Sequence, residues 1–373
     1  MVPSVNVTSS GIVKAVLVVS LCVTLFGCQM RYNRQHLAGV TFSFNGGDSS
    51  VKERPQPICT GQLHLEAPKR AQAFRRVSTR LYFEGETYPI ETLVSNSLYR
   101  TAITTGVDGC EYDFDPLISY YQTLASQAAL HPFYSAQLAP LRNIRAEHGM
   151  DDSTYARLIV RYVQNMEGCE QKTYQPKSPV TMVVDNCGDC DEKSALMAGL
   201  LSTEGYDVVL FVFDRHAAVG IASDDSGGLN DTDYLYIEST IVSRIGWKDP
   251  PFESAFIVDP IPIGTGKKRY QKSTMEKLLD ERYEQVRNWI EVYGKDIDDV
   301  HVFDGRRLDL KTVDSAKQSL DRAFFGLSPA ERGYLVCAAI LEYINRTPHS
   351  LVVALTWVDK MVNWLSVVNV VTD

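Results

Sequence analysis

Three side chains in the middle of the chain are of the types that perform acyl transfer through a thiol: Cys190, His216 and Glu238. A thiolate can attack a carbonyl carbon, an imidazole can carry the proton, and a carboxylate can hold the imidazole in the required tautomer. We therefore predict a catalytic triad in which Cys190 is the nucleophile, His216 the general base and Glu238 the acid that orients the histidine.

The element expected to position Cys190 is a helix that begins near this residue and runs to Glu204, where Gly205 ends it. At a helix N-terminus the dipole and the free N–H groups favour a thiolate, so we expect a lowered pKa for Cys190 and a site for an oxyanion. Gly188 is expected to allow a tight turn before the helix. Lys193 is expected to be solvated, and Asp191 and Glu192 to need no role beyond matching the dipole.

His216 and Glu238 are expected on neighbouring strands. The pattern predicts strands over Asp207–Asp214, His216–Ala222 and Tyr234–Ile241. The midpoint between His216 and Glu238 falls in Gly227-Gly228, which favours a tight hairpin that places the two residues directly opposite each other. This register gives one apolar face and one polar face, and small Ala218 and Gly220 would leave room beside the tyrosine rings for a peptide.

These residues also carry a resemblance to a known family. The segments that carry it are Gly188-Asp189-Cys190-Asp191-Glu192-Lys193-Ser194, Arg215-His216-Ala217-Ala218-Val219-Gly220 and Tyr236-Ile237-Glu238-Ser239-Thr240. Together they resemble the core of the transglutaminase-like superfamily, and most closely its bacterial and archaeal protease-like branch of papain-like cysteine enzymes. The resemblance spans roughly residues 112–262 and implies the Cys-His-acid triad at Cys190, His216 and Glu238. Many members have Asp at the third position, and Glu occurs in this branch.

The expected fold class is α+β, with a papain-like, transglutaminase-like core in which N-terminal helices pack on an antiparallel sheet. Helical periodicity covers Asp115 to Met166, and a strand pair is expected from Arg80–Phe83 and Thr87–Thr104. The expected organisation is a targeting segment at 1–28, a loop- and β-rich region at 29–111, the catalytic core at 112–262 and a mainly helical region at 263–373.

The N-terminus predicts export. Uncharged, mostly apolar residues run from Ala15 to Gly27 and have the length of a signal-peptide core. Leu25-Phe26-Gly27-Cys28 resembles a bacterial lipoprotein box, which makes Cys28 the expected lipidation site; an ordinary secretory signal is the alternative. We expect a lipoprotein of the bacterial cell envelope, anchored in the membrane by lipid and facing the periplasm or the exterior. The apolar stretch from Leu351 to Val371 contains charged residues and is expected to dock or join a core rather than span a bilayer.

An oxidising compartment permits disulfides. Neighbourhood favours pairing Cys59 with Cys110 and Cys169 with Cys187, which leaves Cys190 free, while Cys337 lies in an apolar helical run; the connectivity stays open. Cys187 and Cys190 also form a C-x-x-C pair typical of redox sites or, with His216 as a further ligand, of zinc sites. The acidic residues between 224 and 233 lack the spacing of a calcium-binding loop, so a solvated hairpin tip is expected. We expect no metal and no cofactor.

The net charge of −9 and the lack of a basic tract exclude nucleic acid as an expected partner. The expected partner is a protein or peptide substrate, hydrolysed at a peptide or isopeptide bond through a thioacyl intermediate. Two alternatives remain: transfer of the acyl group to an amine, as in transglutaminases, or a catalytically silent envelope module that binds peptides.

Overall fold

The described part of the chain forms two compact units of mixed helix and strand. The computed structural model describes residues 73–104, 114–126, 128–169, 177–213, 216–225, 227–247, 256, 258–298 and 310–327, together with Glu331, Arg332, Leu335, Val336 and Ala339. Those up to 272 belong to one unit and those from 273 to the other. Cys28, Cys59, Cys110 and Cys337 lie outside the described residues, as do the targeting segment and residues 351–371.

A four-stranded antiparallel sheet forms the centre of the larger unit, in the order β7-β6-β5-β8. Its strands are β5 (Asp207–Phe213), β6 (His216–Ala222), β7 (Tyr234–Ile237) and β8 (Ile261–Thr265). The prediction for β6 is confirmed at both ends. The expected boundary at 262 falls inside β8, which pairs with β5 and so belongs to the unit that contains the sheet.

The described residues of the larger unit form six α-helices: α1 (Asn96–Thr104), α2 (Phe114–Ser126), α3 (His131–His148), α4 (Asp152–Gln164), α5 (Pro179–Asp185) and α6 (Cys190–Thr203). The prediction that a helix begins near Cys190 is confirmed. The helix ends at Thr203, one residue before the expected Glu204, and Gly205 beyond it has a positive φ. Residues 192–201 of α6 are all buried, because α6 packs on β5 and β6 and also against α2, α3 and α4. The mixed α+β character expected from the sequence is therefore present.

A β-hairpin precedes these helices. Strands β1 (Phe74–Phe83) and β2 (Glu86–Ser95) pair antiparallel around Glu84-Gly85, where both residues have positive φ, as a two-residue hairpin turn requires. The predicted second strand extended to Thr104 and is wrong beyond Ser95. The Ser95 hydroxyl accepts a hydrogen bond from the Leu98 amide at 3.3 Å and so begins α1. The hairpin shares one hydrophobic core with the helices and the sheet, so the expected boundary at 111 does not separate two cores.

The second unit contains two described helices, α7 (Thr274–Asp298) and α8 (Leu310–Phe324), which pack on each other. Ser273 and Glu276 begin α7 as a capping box, since the Glu276 amide donates to the Ser273 hydroxyl and the Ser273 amide donates to the Glu276 carboxylate. The described C-terminal part is thus helical, as expected. Among the described residues, no helix combines the length and the apolar character that crossing a membrane requires.

Candidate active site

Cys190 is the first residue of α6, and a capping box fixes it there. Asp189 is the N-cap: its side chain accepts from the amides of Asp191 at 3.2 Å and Glu192 at 3.4 Å. Glu192 returns the interaction by accepting from the Asp189 amide at 3.1 Å, and it also accepts from the Lys177 amide. Glu192 is therefore a buried part of the cap, although the sequence indicated only a match to the dipole. Burial raises its pKa to about 7, against the lowering effect of the Lys177 amide.

The segment before Cys190 is held on its other side by a short parallel pair, β3 (Glu167–Gly168) with β4 (Cys187–Gly188). A disulfide joins Cys169 to Cys187 with Cα atoms 5.6 Å apart. Cys190 is the described cysteine outside a disulfide. Because Cys187 is bonded to Cys169, the C-x-x-C pair with Cys190 is not formed here.

Glycine is required at position 188 because of close contacts and not because of the tight turn that we expected. Its φ is not positive, and a Cβ atom placed there would lie 2.8 Å from Glu192 Oε2 and 2.9 Å from Met182 Cγ. The glycine therefore allows the backbone to pass close to the Glu192 carboxylate of the capping box.

His216 and Glu238 are in contact, although the predicted register is wrong. The ladder pairs Gly220 with Tyr236 and Val219 with Ile237, which is two residues away from the expected alignment. The shift is even, so both side chains stay on the same face of the sheet. Glu238 follows the last residue of β7, and its Oε2 lies 3.1 Å from His216 Nε2.

Four donors surround the Glu238 carboxylate. Besides His216 Nε2, the Tyr236 hydroxyl donates to Oε2 at 2.7 Å, and Oε1 accepts from the Thr240 amide at 2.8 Å and its hydroxyl at 2.6 Å. Burial alone would raise the pKa of Glu238, but the hydrogen bonds and charge of His216 and the bonds from Thr240 outweigh it and lower the pKa to about 2. Glu238 is thus a fixed, ionised partner for the imidazole.

Cys190 lies beside the strand that carries His216, because the Ala217 amide donates to its sulfur. Two serines strengthen this contact between α6 and β6: the Ser194 hydroxyl donates to the Ala217 carbonyl at 2.9 Å, and its oxygen lies 2.9 Å from the Ser239 hydroxyl oxygen. The Ser239 hydroxyl in turn donates to the Cys190 carbonyl at 3.4 Å. These bonds bring the start of α6, the start of β6 and the segment after β7 together.

The electrostatic setting of Cys190 is the opposite of the expected one. Burial raises the pKa of its thiol, the negative charges of Asp191, Asp189 and Glu238 raise it further, and the Ala217 amide lowers it. The expectation of a lowered pKa is therefore wrong. The Cys190 thiol donates to Asp191 Oδ1 over 3.8 Å, and the Tyr121 hydroxyl donates to the same oxygen at 2.9 Å.

Lys193 is completely buried, so the expectation of a solvated side chain is wrong. Its ammonium group donates to the Met166 carbonyl at 2.7 Å and to the Thr240 carbonyl at 3.4 Å. Burial lowers its pKa to about 8, and the charge of Glu238 opposes the shift. Gln164 is a second supporting residue that the sequence did not single out: its Nε2 donates to the Glu238 carbonyl at 2.8 Å and the Ser243 carbonyl at 3.1 Å. A helical period that places Lys193 with Leu196, Met197 and Leu200 was a usable signal for its burial.

The face of the sheet that carries His216 is apolar and filled, contrary to the expected polar face with room for a peptide. Its buried residues are Val209, Phe211, Phe213, Ala218, Leu229 and Tyr236. A Cβ atom at Gly220 would lie 2.6 Å from Val209 Cγ2 and 2.7 Å from Phe211 Cζ, so side chains of the protein occupy the expected space. The Phe213 ring stacks on the His216 ring, with centroids 6.2 Å apart. This packing fixes the plane of the imidazole.

The acidic groups near the site and at the hairpin tip already have partners. Ligand atoms of Asp189, Cys190 and Asp191 lie within 4.8 Å of one another, but the two carboxylates accept from the helix amides and from Tyr121. At the tip, Asp224 pairs with Arg269 at 2.6 Å, and the Lys272 amide donates to Asp225 at 2.6 Å. Neither group gives us a reason to assign a metal.

Comparison of the chain with family models, with curated proteins and with solved structures gave no match.

Proposed function

We propose that this protein is a cysteine hydrolase that cleaves peptide or isopeptide bonds through a thioacyl intermediate, with Cys190 as the nucleophile, His216 as the base and Glu238 as the orienting acid. One observation carries the proposal: Glu238 holds His216 by Nε2 at 3.1 Å, while the amide of the very next residue, Ala217, contacts the Cys190 sulfur. The thiol of Cys190 therefore lies against the residue that follows the oriented histidine, which supports a reaction between the two side chains.

The hydrogen bond between His216 Nε2 and Glu238 indicates which ring nitrogen acts as the base. Because Nε2 is bound to Glu238, His216 Nδ1 takes the proton of the Cys190 thiol as the sulfur attacks the acyl carbon. The protonated imidazole then gives this proton to the leaving amine, and the acyl group remains on the sulfur as a thioester. Water, deprotonated by His216, releases the acid and restores the thiol.

The raised pKa of the Cys190 thiol decides the form of the mechanism. A resting thiolate–imidazolium pair requires a thiol pKa below that of the imidazole, and burial and neighbouring carboxylates oppose this. Cys190 therefore starts as a neutral thiol, and proton transfer accompanies the attack. The positively charged imidazole that results is stabilised by Glu238, which stays ionised.

A helix that carries the thiol and packs on an antiparallel sheet, with the histidine and the acid at neighbouring strands, agrees with the papain-like, transglutaminase-like core that the motifs resemble. This core is part of the proposal. So is the location in the bacterial cell envelope as an exported, lipid-anchored protein, which the Cys169–Cys187 disulfide supports because such bonds persist in oxidising compartments.

The test is a search for the acyl-enzyme. The full chain is incubated with a mixture of synthetic peptides that contain both main-chain and lysine side-chain amide bonds, with and without a labelled amine. Mass spectrometry then identifies cleaved peptides, labelled peptides and acyl groups on Cys190. Hydrolysed products and an acyl group on Cys190 are expected; incorporation of the amine as the main product would favour the transglutaminase alternative.

The matched variants are Cys190→Ala and His216→Ala. Both are expected to abolish turnover and the acyl adduct. Cys190→Ala should change the melting temperature little, whereas His216→Ala also removes the partner of the buried Glu238 carboxylate and should lower the melting temperature, so circular dichroism must first show that this variant is folded. Wild-type turnover by either variant would refute the proposed roles. A protein that binds the peptides but never becomes acylated would instead be the catalytically silent module.

A further inference from the structure

Asp191 contacts the reacting atom of the site, yet the proposed triad gives it no role. Its Oδ1 accepts from the Cys190 thiol over 3.8 Å and from the Tyr121 hydroxyl at 2.9 Å. Tyr121 is buried and lies on α2. The Asp191 carboxylate is therefore bound by a residue of another helix as well as by its own. Burial raises the pKa of the Asp191 carboxyl to about 6, and the charge of His216 acts against this shift.

We propose that Asp191 is a further catalytic residue that keeps the proton on the Cys190 thiol in the resting protein and stabilises the His216 imidazolium once the proton has moved. The second half of this statement rests on the proposed function; the first half does not. No atom is gained or lost: the S–H proton turns from Asp191 Oδ1 to His216 Nδ1, and the sulfur lone pair that is freed attacks the acyl carbon.

The charged and polar groups around the sulfur come from every element packed there. Asp189 precedes α6, Asp191 lies on it, Glu238 follows β7, and His216 and the Ala217 amide belong to β6. The three carboxylates raise the pKa of the thiol, and Asp191 has the largest effect of the three. Contact explains this order, because Asp191 accepts the thiol proton itself while the Asp189 side chain accepts from helix amides.

The Tyr121 hydroxyl donates to Asp191, so Tyr121→Phe is a second variant for which the proposal predicts the opposite change in the reactivity of the thiol. The phenol donates to the oxygen that accepts the thiol proton and so offsets part of its charge. Removing the phenol leaves that oxygen more basic and should hold the thiol proton more firmly. Removing the charge of Asp191 should make the proton of the Cys190 thiol easier to remove. If the two substitutions only disturbed the start of the helix, they would change the alkylation rate of Cys190 in the same direction.

The experiment measures alkylation of Cys190 by iodoacetamide, which requires no substrate. The full chain with its disulfide intact is reacted over a range of pH, and the rate is read from the mass of the peptide that contains Cys190. For Asp191→Asn we expect the apparent thiol pKa to fall by about one unit or more, so that alkylation at about pH 8 is roughly tenfold faster. For Tyr121→Phe we expect a slower reaction than in the wild type.

Asp189→Asn is the matched control, because Asn also caps helices well and the substitution removes one charge at the same helix end. We expect a smaller acceleration than for Asp191→Asn. An unchanged rate in Asp191→Asn would overturn the proposal, as would an equal effect of Asp189→Asn or an acceleration in Tyr121→Phe.

The outcome is separable from that of the proposed function. If the alkylation rates change as expected while no peptide is acylated, the role of Asp191 in holding the thiol proton stands and the hydrolase proposal fails. If peptides are hydrolysed and the alkylation rates do not change, the hydrolase proposal stands and Asp191 is not part of its machinery.

Discussion

The two halves of the candidate site differ in the charge that their surroundings favour. On one side, four donors surround Glu238, and its pKa is lowered to about 2. On the other, one amide donor faces the Cys190 sulfur while carboxylates stand beside it, and the pKa of the thiol is raised. Glu238 is buried and Cys190 is half-buried, and the loss of solvent raises the pKa of each group. The donors around each group decide the net result.

This difference shows why the position of Cys190 at a helix N-terminus is not sufficient to make a thiolate. The dipole stabilises an anion there by about 0.3–1 kcal/mol at ordinary exposure. A single charge about 4 Å away interacts by about 4 kcal/mol at an effective dielectric constant of about 20. Burial, together with the carboxylates of Asp191 and Asp189 at the same helix end, therefore outweighs the dipole and raises the pKa of the thiol.

The largest expected effect comes from Glu238→Gln, which removes the negative charge beside His216. The neutral amide of glutamine cannot stabilise the positive charge of the imidazolium. Its NH₂ group is also a donor and would face the donors that bind the Glu238 carboxylate in the wild type. We therefore expect kcat to fall by about 10³- to 10⁴-fold. Turnover of any peptide that acylates Cys190 provides the measurement. Glu91→Gln, at an exposed glutamate of β2, is the control and should keep wild-type kcat. A loss smaller than tenfold would mean that Glu238 does not orient the base.

A second substitution removes the support behind Glu238. In Lys193→Met the buried carbonyls of Met166 and Thr240 lose their donor, which should lower the free energy of unfolding by about 2 kcal/mol. Urea unfolding of the variant against the wild type measures this value. Lys267→Met, at an exposed lysine of the same unit, should change the stability by less than about 0.5 kcal/mol. Equal stabilities for the two variants would contradict the supporting role of Lys193.

Tyr236→Phe removes one of the four hydrogen bonds to the Glu238 carboxylate and leaves the other three in place. The ring remains packed beside Phe213, while Glu238 Oε2 loses the donor at 2.7 Å. We expect kcat to fall about tenfold, which corresponds to a hydrogen bond of about 1.4 kcal/mol to a charged group, with little change in KM. Tyr234→Phe is the matched control from the same strand, since its hydroxyl bonds Asp207 instead. Identical kcat values for the two variants would remove Tyr236 from the site.

The smallest expected effect is on stability in acid. Because the pKa of Glu238 in the folded protein, about 2, lies below its ordinary value of 4.5, its ionised form contributes stability above pH 4.5 that is lost as the pH falls toward 2. The melting temperature of the wild type should therefore fall a few degrees more than that of Glu238→Gln between these two pH values. Parallel melting curves for the two proteins would contradict the lowered pKa.

The parts of this structure that the sequence predicted are those with local signals. The run that begins α6 at Cys190 and ends it before Gly205, and the limits of β6, depend on turn residues and on short-range periodicity. The register of β6 and β7 was missed because a tight turn at Gly227-Gly228 was assumed. The connection instead contains a 3₁₀ turn over Leu229–Asp231, in which Asn230 and Asp231 have positive φ.

The polar residues around the triad depend on contacts that are distant in the sequence. Asp191 meets Tyr121, seventy residues earlier, and Lys193 meets Thr240 from another element. The sequence indicated solvent for Lys193 and no more than a match to the helix dipole for Asp191. Only the tertiary structure reveals that carbonyls and a phenol satisfy them in the interior, and for this reason the sequence indicated the three candidate residues but not the direction in which the pKa of the Cys190 thiol is shifted.

The Cys169–Cys187 disulfide makes the choice of reducing agent part of any assay of this protein. A strong reductant added to keep Cys190 in the thiol form would also open this bond and free Cys187, which stands in C-x-x-C spacing with Cys190. Reoxidation then offers Cys190 a neighbouring partner, and a bond between these two residues would block the Cys190 thiol. An inactive preparation should therefore first be checked for a Cys187–Cys190 linkage, and the protein is best produced in an oxidising compartment and kept free of dithiols.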